Sequence, residues 1–118
     1  MSVGPADFLG SARQMLACDE EMAWRNAVSR AYYGSYHEAR LTAARMGWPE
    51  YATGPTHERL AALFFDRKQS ALSYRLKSLH RQRCVADYET GSPLSKASAE
   101  EHVLAAARLM DDLAAVSP

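Results

Sequence analysis

Cationic, phenolic and imidazole side chains share one short segment of the chain. Residues 29–40 read SRAYYGSYHEAR, in which arginine, tyrosine and histidine are interleaved with small side chains. On an α-helix, positions seven apart differ by only about 20° around the axis, so four polar residues of this region form one stripe. These are Asn26, Arg30, Tyr33 and His37. Tyr33 lies within one turn of both Arg30 and His37, and together the three side chains could hold a phosphate.

The stripe has two interpretations. In the first, Arg30 and His37 bind a phosphate-bearing ligand. In the second, both residues bond to acidic side chains of neighbouring helices while Tyr33 fills the core. The spacing is compatible with either, so both stay open at this point.

A second polar group follows in the segment LHRQRCVADYE. Arg83 and Asp87 stand four residues apart and can pair on one helix face, and Tyr88 follows directly. An exposed pair of this kind contributes only about 0.3–0.5 kcal/mol, whereas a buried pair would orient the arginine toward a site. We expect Arg83, Asp87 and Tyr88 to form a second wall beside the stripe.

The familiar catalytic motifs are missing from the sequence. It has no Gly-rich phosphate loop, no CxxC pair, no HExxH and no serine in a nucleophile elbow. His57 falls in the first turn of a predicted helix, where the dipole disfavours a positive charge, so we expect it to be neutral and hydrogen-bonded. What remains is metal-independent chemistry on a phosphate, which needs only an acid or base and a cation, or binding without chemistry.

Helices must position these residues. Apolar residues recur at three- and four-residue steps, which predicts helices over residues 5–17 and 20–46. Thr56 is predicted to cap a third helix, and Ser98 with Glu101 the last one. The fourth helix is built on Leu72, Leu76, Leu79 and Val85. No stretch alternates with a period of two, so we predict an all-α fold, an antiparallel bundle of four to five helices.

The other side of the second helix carries small and apolar residues. They are Val28, Ala31, Tyr32, Ser35, Ala39 and Ala43. Side chains of this size let a neighbouring helix approach closely. We therefore expect this side to pack inside the bundle and the polar stripe to face outward.

The composition limits the protein class. The 118 residues, 47% of them hydrophobic, fit a single domain over residues 1–118. Fourteen basic and fourteen acidic side chains cancel, so any anion site must be a local cluster. Cys18 and Cys84 lack metal-ligand spacing, and no apolar leader or membrane-length run opens the chain. We expect a cytoplasmic protein with free thiols, without a metal, a cofactor or a membrane partner.

Three segments in this order carry a family resemblance: AVSRAYYGSYHEAR, THERLAALFF and LKSLHRQRCVADYE. The chain resembles the HEPN domain family, in particular its small stand-alone prokaryotic members, over about residues 5–115. The resemblance implies a bundle of four to five helices that is commonly a homodimer. It also implies, in many cases, a minimal nucleotidyltransferase as the antitoxin of a toxin–antitoxin pair. Many members are metal-independent ribonucleases in which an arginine precedes a histidine by a short interval on a late helix.

Two pairs of this chain have the family's interval, Arg30 with His37 and Arg75 with His80. Arg75 and His80 lie about 140° apart around their helix, so the pair on the second helix ranks first. In the segment that most resembles the late-helix motif, Arg83 is followed five residues later by Tyr88.

Three functions follow from the resemblance and the stripe. The first is a HEPN module that binds a nucleotide, RNA or a nucleotidyltransferase partner in a toxin–antitoxin or defence context. The alternative is a metal-independent endoribonuclease toxin with Arg30 and His37 as catalytic residues. In both, the binding residues are Asn26, Tyr33, Arg83, Asp87 and Tyr88. The second alternative is a purely structural helical dimer.

A homodimer is also suggested by three aromatic residues that the sequence pattern places at the surface. They are Trp24, Trp48 and Tyr51. Exposed aromatic side chains of this size often mark an interface.

Overall fold

Five helices make up the computed structural model, which describes residues 2–118. They are α1 (Pro5–Leu16), α2 (Glu21–Arg45), α3 (Thr56–Asp66), α4 (Ser70–Tyr88) and α5 (Lys96–Ala114). No residue in the described range is in a β-strand, so the predicted all-α helical bundle is confirmed. Among these residues, no helix combines the length and the apolar character that crossing a membrane requires.

Two predicted helix starts need correction. Thr56 is the first residue of α3 rather than its cap, and Pro55 precedes it as the N-cap residue. The last helix begins one turn earlier than predicted, because Ser95 caps it. The Ser95 hydroxyl accepts a hydrogen bond from the backbone N–H of Ser98 at 3.1 Å. Both serines have the chemistry of a cap, and the hydrogen bond at the earlier one adds a turn to the helix.

The small-residue side of α2 lies in the middle of the bundle. All six residues predicted for this side are buried, as are Ala27 and Thr42. Two of its hydroxyls are satisfied by α5: Ser35 donates to the carbonyl of Ala106 at 3.2 Å and Thr42 to that of Leu113 at 3.0 Å. The predicted close packing of this side is confirmed.

Gly34 shows how close the neighbouring helices come. A Cβ atom at this position would lie 3.2 Å from Met110 Sδ and 3.2 Å from the backbone oxygen of Pro5. Since one neighbour is backbone, α1 would have to shift to admit a methyl group.

The α3–α4 pair is joined by residues 67–69, in which Lys68 takes the left-handed conformation at φ +64°. Ser73 near the start of α4 donates to the carbonyl of Ala61 at 2.6 Å. Leu63 and Phe64 are almost fully buried and belong to the same core cluster as the small side of α2. These contacts join the start of α4 to α3 and place α3 in the same core as α2.

The aromatic residues proposed as a dimer surface are mostly engaged within the chain. The Trp24 indole donates to the carbonyl of Cys18 at 2.8 Å, and Trp48 packs edge-on against Phe64 at 5.2 Å between ring centroids. Both tryptophans are half-buried, so their expected exposure is wrong, whereas Tyr51 is exposed. The indole nitrogen of Trp24 donates to a carbonyl only six residues away, a contact that the periodicity does not indicate. The homodimer stays a prediction without that argument.

Candidate functional site

The four residues of the predicted stripe line one shallow hollow on the surface. Asn26, Arg30, Tyr33 and His37 surround it together with Phe8 and Ser29, and its volume is about 460 Å³. It is termed the α1–α2 depression here. Arg30 is exposed, and the other three stripe residues are half-buried. The structure therefore brings these predicted residues together.

His37 is packed against aromatic rings in this depression. Its ring centroid lies 4.9 Å from that of Phe8 and 6.3 Å from that of Tyr33. Burial lowers the pKa of His37, and the positive charge of Arg40 lowers it further. The imidazole is thus mostly neutral at pH 7, a state in which it can accept a proton.

Arg83 and Asp87 form the predicted pair, with Nε and Oδ2 2.9 Å apart. Their side chains are 15% and 24% exposed, so the pair is neither freely solvated nor fully buried. Ser29 on α2 donates to the same Asp87 oxygen at 3.2 Å. The buried Nε of Arg83 nevertheless makes no hydrogen bond, because its N–H is not aligned with the carboxylate.

The Arg83 guanidinium also lies between two tyrosines. Its central carbon is 5.3 Å from the Tyr33 ring centroid and 5.5 Å from that of Tyr88. Tyr88 itself is 69% exposed. The predicted second wall therefore adjoins the α1–α2 depression through Tyr33.

A pair of stacked histidines is the feature that the sequence interpretation missed. The rings of His57 on α3 and His80 on α4 are 4.4 Å apart and inclined by only 17°. The Tyr32 hydroxyl oxygen is 2.5 Å from His57 Nδ1, and Cys84 Sγ is 3.6 Å from His80 Nε2. The expected hydrogen bond of His57 is present, although its partner and the second histidine were not foreseen.

The charge state of this pair follows from its surroundings. Burial lowers the pKa of His57, and the nearby His80 and Arg83 lower it further. Burial lowers the pKa of His80 as well, Arg83 acting in the same direction and Glu58 opposing it. Both imidazoles are therefore mostly neutral at pH 7.

The register of α3 and α4 could have revealed the pair. A short connection between neighbouring helices makes them antiparallel. His57 precedes Lys68 by 11 residues (68 − 57) and His80 follows it by 12 (80 − 68). Residues at equal distances from such a turn lie side by side, so symmetry about Lys68 places the two histidines together.

The histidine pair lines an open groove of about 640 Å³, termed the α3–α4 groove. Tyr32 and Tyr36 form part of its wall, and Lys77 and Arg81 are exposed at its margin. The Tyr33 ring of the α1–α2 depression lies 6.1 Å from the ring of His57. The depression and the groove are thus adjacent, with Tyr33 and Arg83 at their junction.

Arg75, the other sequence candidate, points away from the groove. Its Nη1 lies 2.7 Å from Asp112 Oδ2 on α5, which agrees with the wide angle between Arg75 and His80 on α4. These two residues do not form a site within one chain.

Residues 2–118 contain no group of three or more His, Cys, Asp or Glu side chains arranged to hold a metal ion. No protein-family model, curated protein or solved structure matches the chain. The cationic, aromatic and imidazole side chains of the site have the chemistry for phosphate binding, for stacking and for proton transfer.

Proposed function

We propose that the protein is a HEPN-type module that binds RNA or a nucleotide across the α1–α2 depression and the α3–α4 groove. The observation that carries the proposal is a continuous row of ring contacts. Phe8, His37, Tyr36, His57 and His80 follow one another with centroid separations of 4.9, 5.3, 4.9 and 4.4 Å. Bases of single-stranded nucleic acid stack on ring surfaces of this kind irrespective of their sequence.

All rings of the row except Tyr36 are half-buried rather than buried, so each keeps an accessible part. Tyr36 is 7% exposed and supports its two neighbours from beneath. A base would therefore meet Phe8 and His37 in the depression or the histidine pair in the groove. Two such surfaces suit a ligand with more than one base.

Basic side chains accompany the row on both sides. Arg30 lines the depression, and Lys77 and Arg81 line the groove. None of these three belongs to any of the four ion pairs within residues 2–118. Their charges are thus available to phosphates, whereas the net charge of the whole chain is zero.

Fluorescence anisotropy with labelled hexauridylate and with adenosine monophosphate tests the proposal. Lys77→Gln combined with Arg81→Gln should weaken hexauridylate binding at least about tenfold and reduce the salt dependence of the affinity. Arg108→Gln on α5 is the matched control, because Arg108 is also exposed and unpaired within the described chain. If the unmodified protein binds neither ligand at low salt, the structural interpretation replaces this one.

A metal-independent ribonuclease is the second candidate, and the neighbouring positions of Arg30 and His37 support it. A neutral His37 can take a proton from a 2′-hydroxyl while Arg30 stabilises the phosphate. Cleavage of hexauridylate should then survive EDTA and fall by about 10²- to 10⁴-fold in His37→Ala. The helical signal should be unchanged, and His102→Ala should cleave normally. Absence of cleavage by the unmodified protein would refute this activity without affecting the binding proposal.

A further inference from the structure

The stacked histidine pair sits in a predominantly basic environment. Ionisable groups face it from all three helices that surround it. They are Tyr32, Tyr33 and Tyr36 on α2, Glu58 on α3, and Lys77, Arg81, Arg83 and Cys84 on α4. Glu58 is the one carboxylate that lines this groove in the described chain, and it is exposed. An extra positive charge on the pair therefore finds little compensation in the free protein.

The geometry of the pair limits how many protons it can take up. Its two rings are 4.4 Å apart and nearly parallel. Two unit charges this close repel each other strongly even at the effective dielectric constant of a protein surface. One imidazolium can form when an anion is near, but a second is strongly opposed.

We propose that ligand binding in the α3–α4 groove is coupled to the uptake of one proton by the His57–His80 pair, so that the affinity for phosphodiesters rises as the pH falls. The inference rests on the proposed function and adds its regulation. A phosphate in the groove supplies the negative charge that the free site lacks, and it would favour one imidazolium over two neutral rings.

The hydrogen bonds around the pair can accommodate this change. In the neutral tautomer with its proton on Nε2, His57 accepts a hydrogen bond from the Tyr32 hydroxyl at Nδ1. Once His57 is protonated, Nδ1 becomes a donor and the Tyr32 oxygen can accept after its hydroxyl rotates. Burial holds the pKa of Tyr32 well above its usual range, so the phenol keeps its proton in both states. No polar atom at this contact is left without a partner.

Calorimetric titration with hexauridylate measures the coupling directly. Neither its phosphodiesters nor its uracils change charge between about pH 5.5 and about pH 8, so any pH dependence belongs to the protein. Titrations in two buffers of different ionisation enthalpy give the number of protons taken up per complex. We expect the number of protons taken up per complex to rise toward one as the pH falls from about 8. The affinity should then increase by up to about tenfold for each pH unit of decrease.

The combined variant His57→Gln/His80→Gln should retain part of the binding and lose the proton uptake, whereas His102→Gln should behave like the unmodified protein. Binding without proton uptake, or uptake that persists in the combined variant, would overturn the inference and leave the proposed function standing. No binding at any pH would overturn both. If the combined variant does not fold, NMR titration of the unmodified protein replaces it: the pKa of one of the two rings must rise on adding hexauridylate, and unchanged values would refute the coupling.

Discussion

Two arginines of neighbouring helices show how differently the same side chain is used in this protein. Arg25 on α2 is 4% exposed, and all three of its nitrogens donate hydrogen bonds. Its partners are Glu21 Oε2 at 3.0 Å and the carbonyls of Ala86 at 2.9 Å, Glu89 at 3.3 Å and Ser92. Arg83 on α4 has a buried Nε without a hydrogen bond and lies against two tyrosine rings.

The difference separates a residue that serves the fold from one that serves a site. Arg25 donates to the Ala86 carbonyl in the last turn of α4 and to two carbonyls just beyond the helix, and so fixes this end against α2. Arg83 has a carboxylate beside it but incomplete hydrogen bonding, and it adjoins the row of rings. A phosphate could bind the terminal nitrogens of Arg83, of which only Nη2 has a hydrogen-bond partner, the Tyr88 hydroxyl at 3.4 Å, whereas all three nitrogens of Arg25 are already occupied.

Replacing Arg25 should have the largest effect on stability. Arg25→Met keeps the length of the side chain but removes the buried hydrogen bond to the Ala86 carbonyl and the ion pair with Glu21, so the free energy of unfolding should fall by about 3 kcal/mol. Urea denaturation followed by circular dichroism measures it. Arg108→Met provides the surface control, with an expected change below about 0.5 kcal/mol. Equal effects of the two substitutions would remove the structural role assigned to Arg25.

Arg83→Gln should change the ligand affinity more than the stability. It removes one partly buried ion pair whose carboxylate keeps the hydrogen bond from Ser29, so the stability loss should be no more than about 1 kcal/mol, while hexauridylate affinity should drop about tenfold. Urea denaturation and anisotropy on the same preparation give both numbers. A variant that loses several kcal/mol and binds normally would place Arg83 with Arg25 as a structural residue.

Acid should destabilise the His57–His80 pair and the Glu21–Arg25 pair in separate pH ranges. Burial lowers the pKa values of His57 and His80, so the unfolded chain binds more protons and stability falls as the pH drops below about 6.5. The hydrogen bond from Arg25 lowers the pKa of Glu21, so its contribution is lost only below about pH 4.5. Urea midpoints at about pH 7, 5.5 and 4 resolve the two ranges.

The combined His57→Gln/His80→Gln variant should lose less stability than the unmodified protein between about pH 7 and 5.5. Equal losses in the upper range would show that other groups, such as His37 or His102, carry the acid sensitivity.

The smallest change in stability is expected at Lys68, in the turn that aligns the histidine pair. Lys68 has a φ of +64°, a conformation that glycine adopts without cost. Lys68→Gly should therefore raise the free energy of unfolding by up to about 1 kcal/mol and leave hexauridylate binding unchanged. A thermal unfolding scan detects this gain. Ser70→Gly at the start of α4 is the control, since glycine should not increase stability there. A lower stability of Lys68→Gly would show that the left-handed conformation of Lys68 costs the fold nothing.

The sequence predicted what depends on local spacing. The helices, the stripe around Tyr33 and the Arg83–Asp87 pair all follow from residues within about three turns of each other. Arg25 shows the limit of such reasoning, because spacing predicts only its pair with Glu21. Its carbonyl partners lie 61 to 67 residues further along the chain. Contacts of this kind depend on how α2 and α4 pack, which no periodicity encodes.

The histidine pair was only partly predictable from the sequence. His57 was predicted to be neutral and hydrogen-bonded, and His80 was considered only with Arg75 on its own helix. Their contact follows from the antiparallel register about Lys68, which could have been derived from the sequence once the turn was placed. The partner of His57 could not, because Tyr32 reaches it only through the packing of α2 against α3.

NMR of side-chain nitrogens during a hexauridylate titration tests the central claim most directly, since it reports on both arginines and the histidine pair in one sample. We predict that the Nε signal of Arg83 and the ring signals of His57 and His80 shift in proportion to the bound fraction. The Nε signal of Arg25 should stay in place. Saturable binding that leaves Arg83 and both histidines unshifted would contradict the assignment of the ligand site to the depression and the groove.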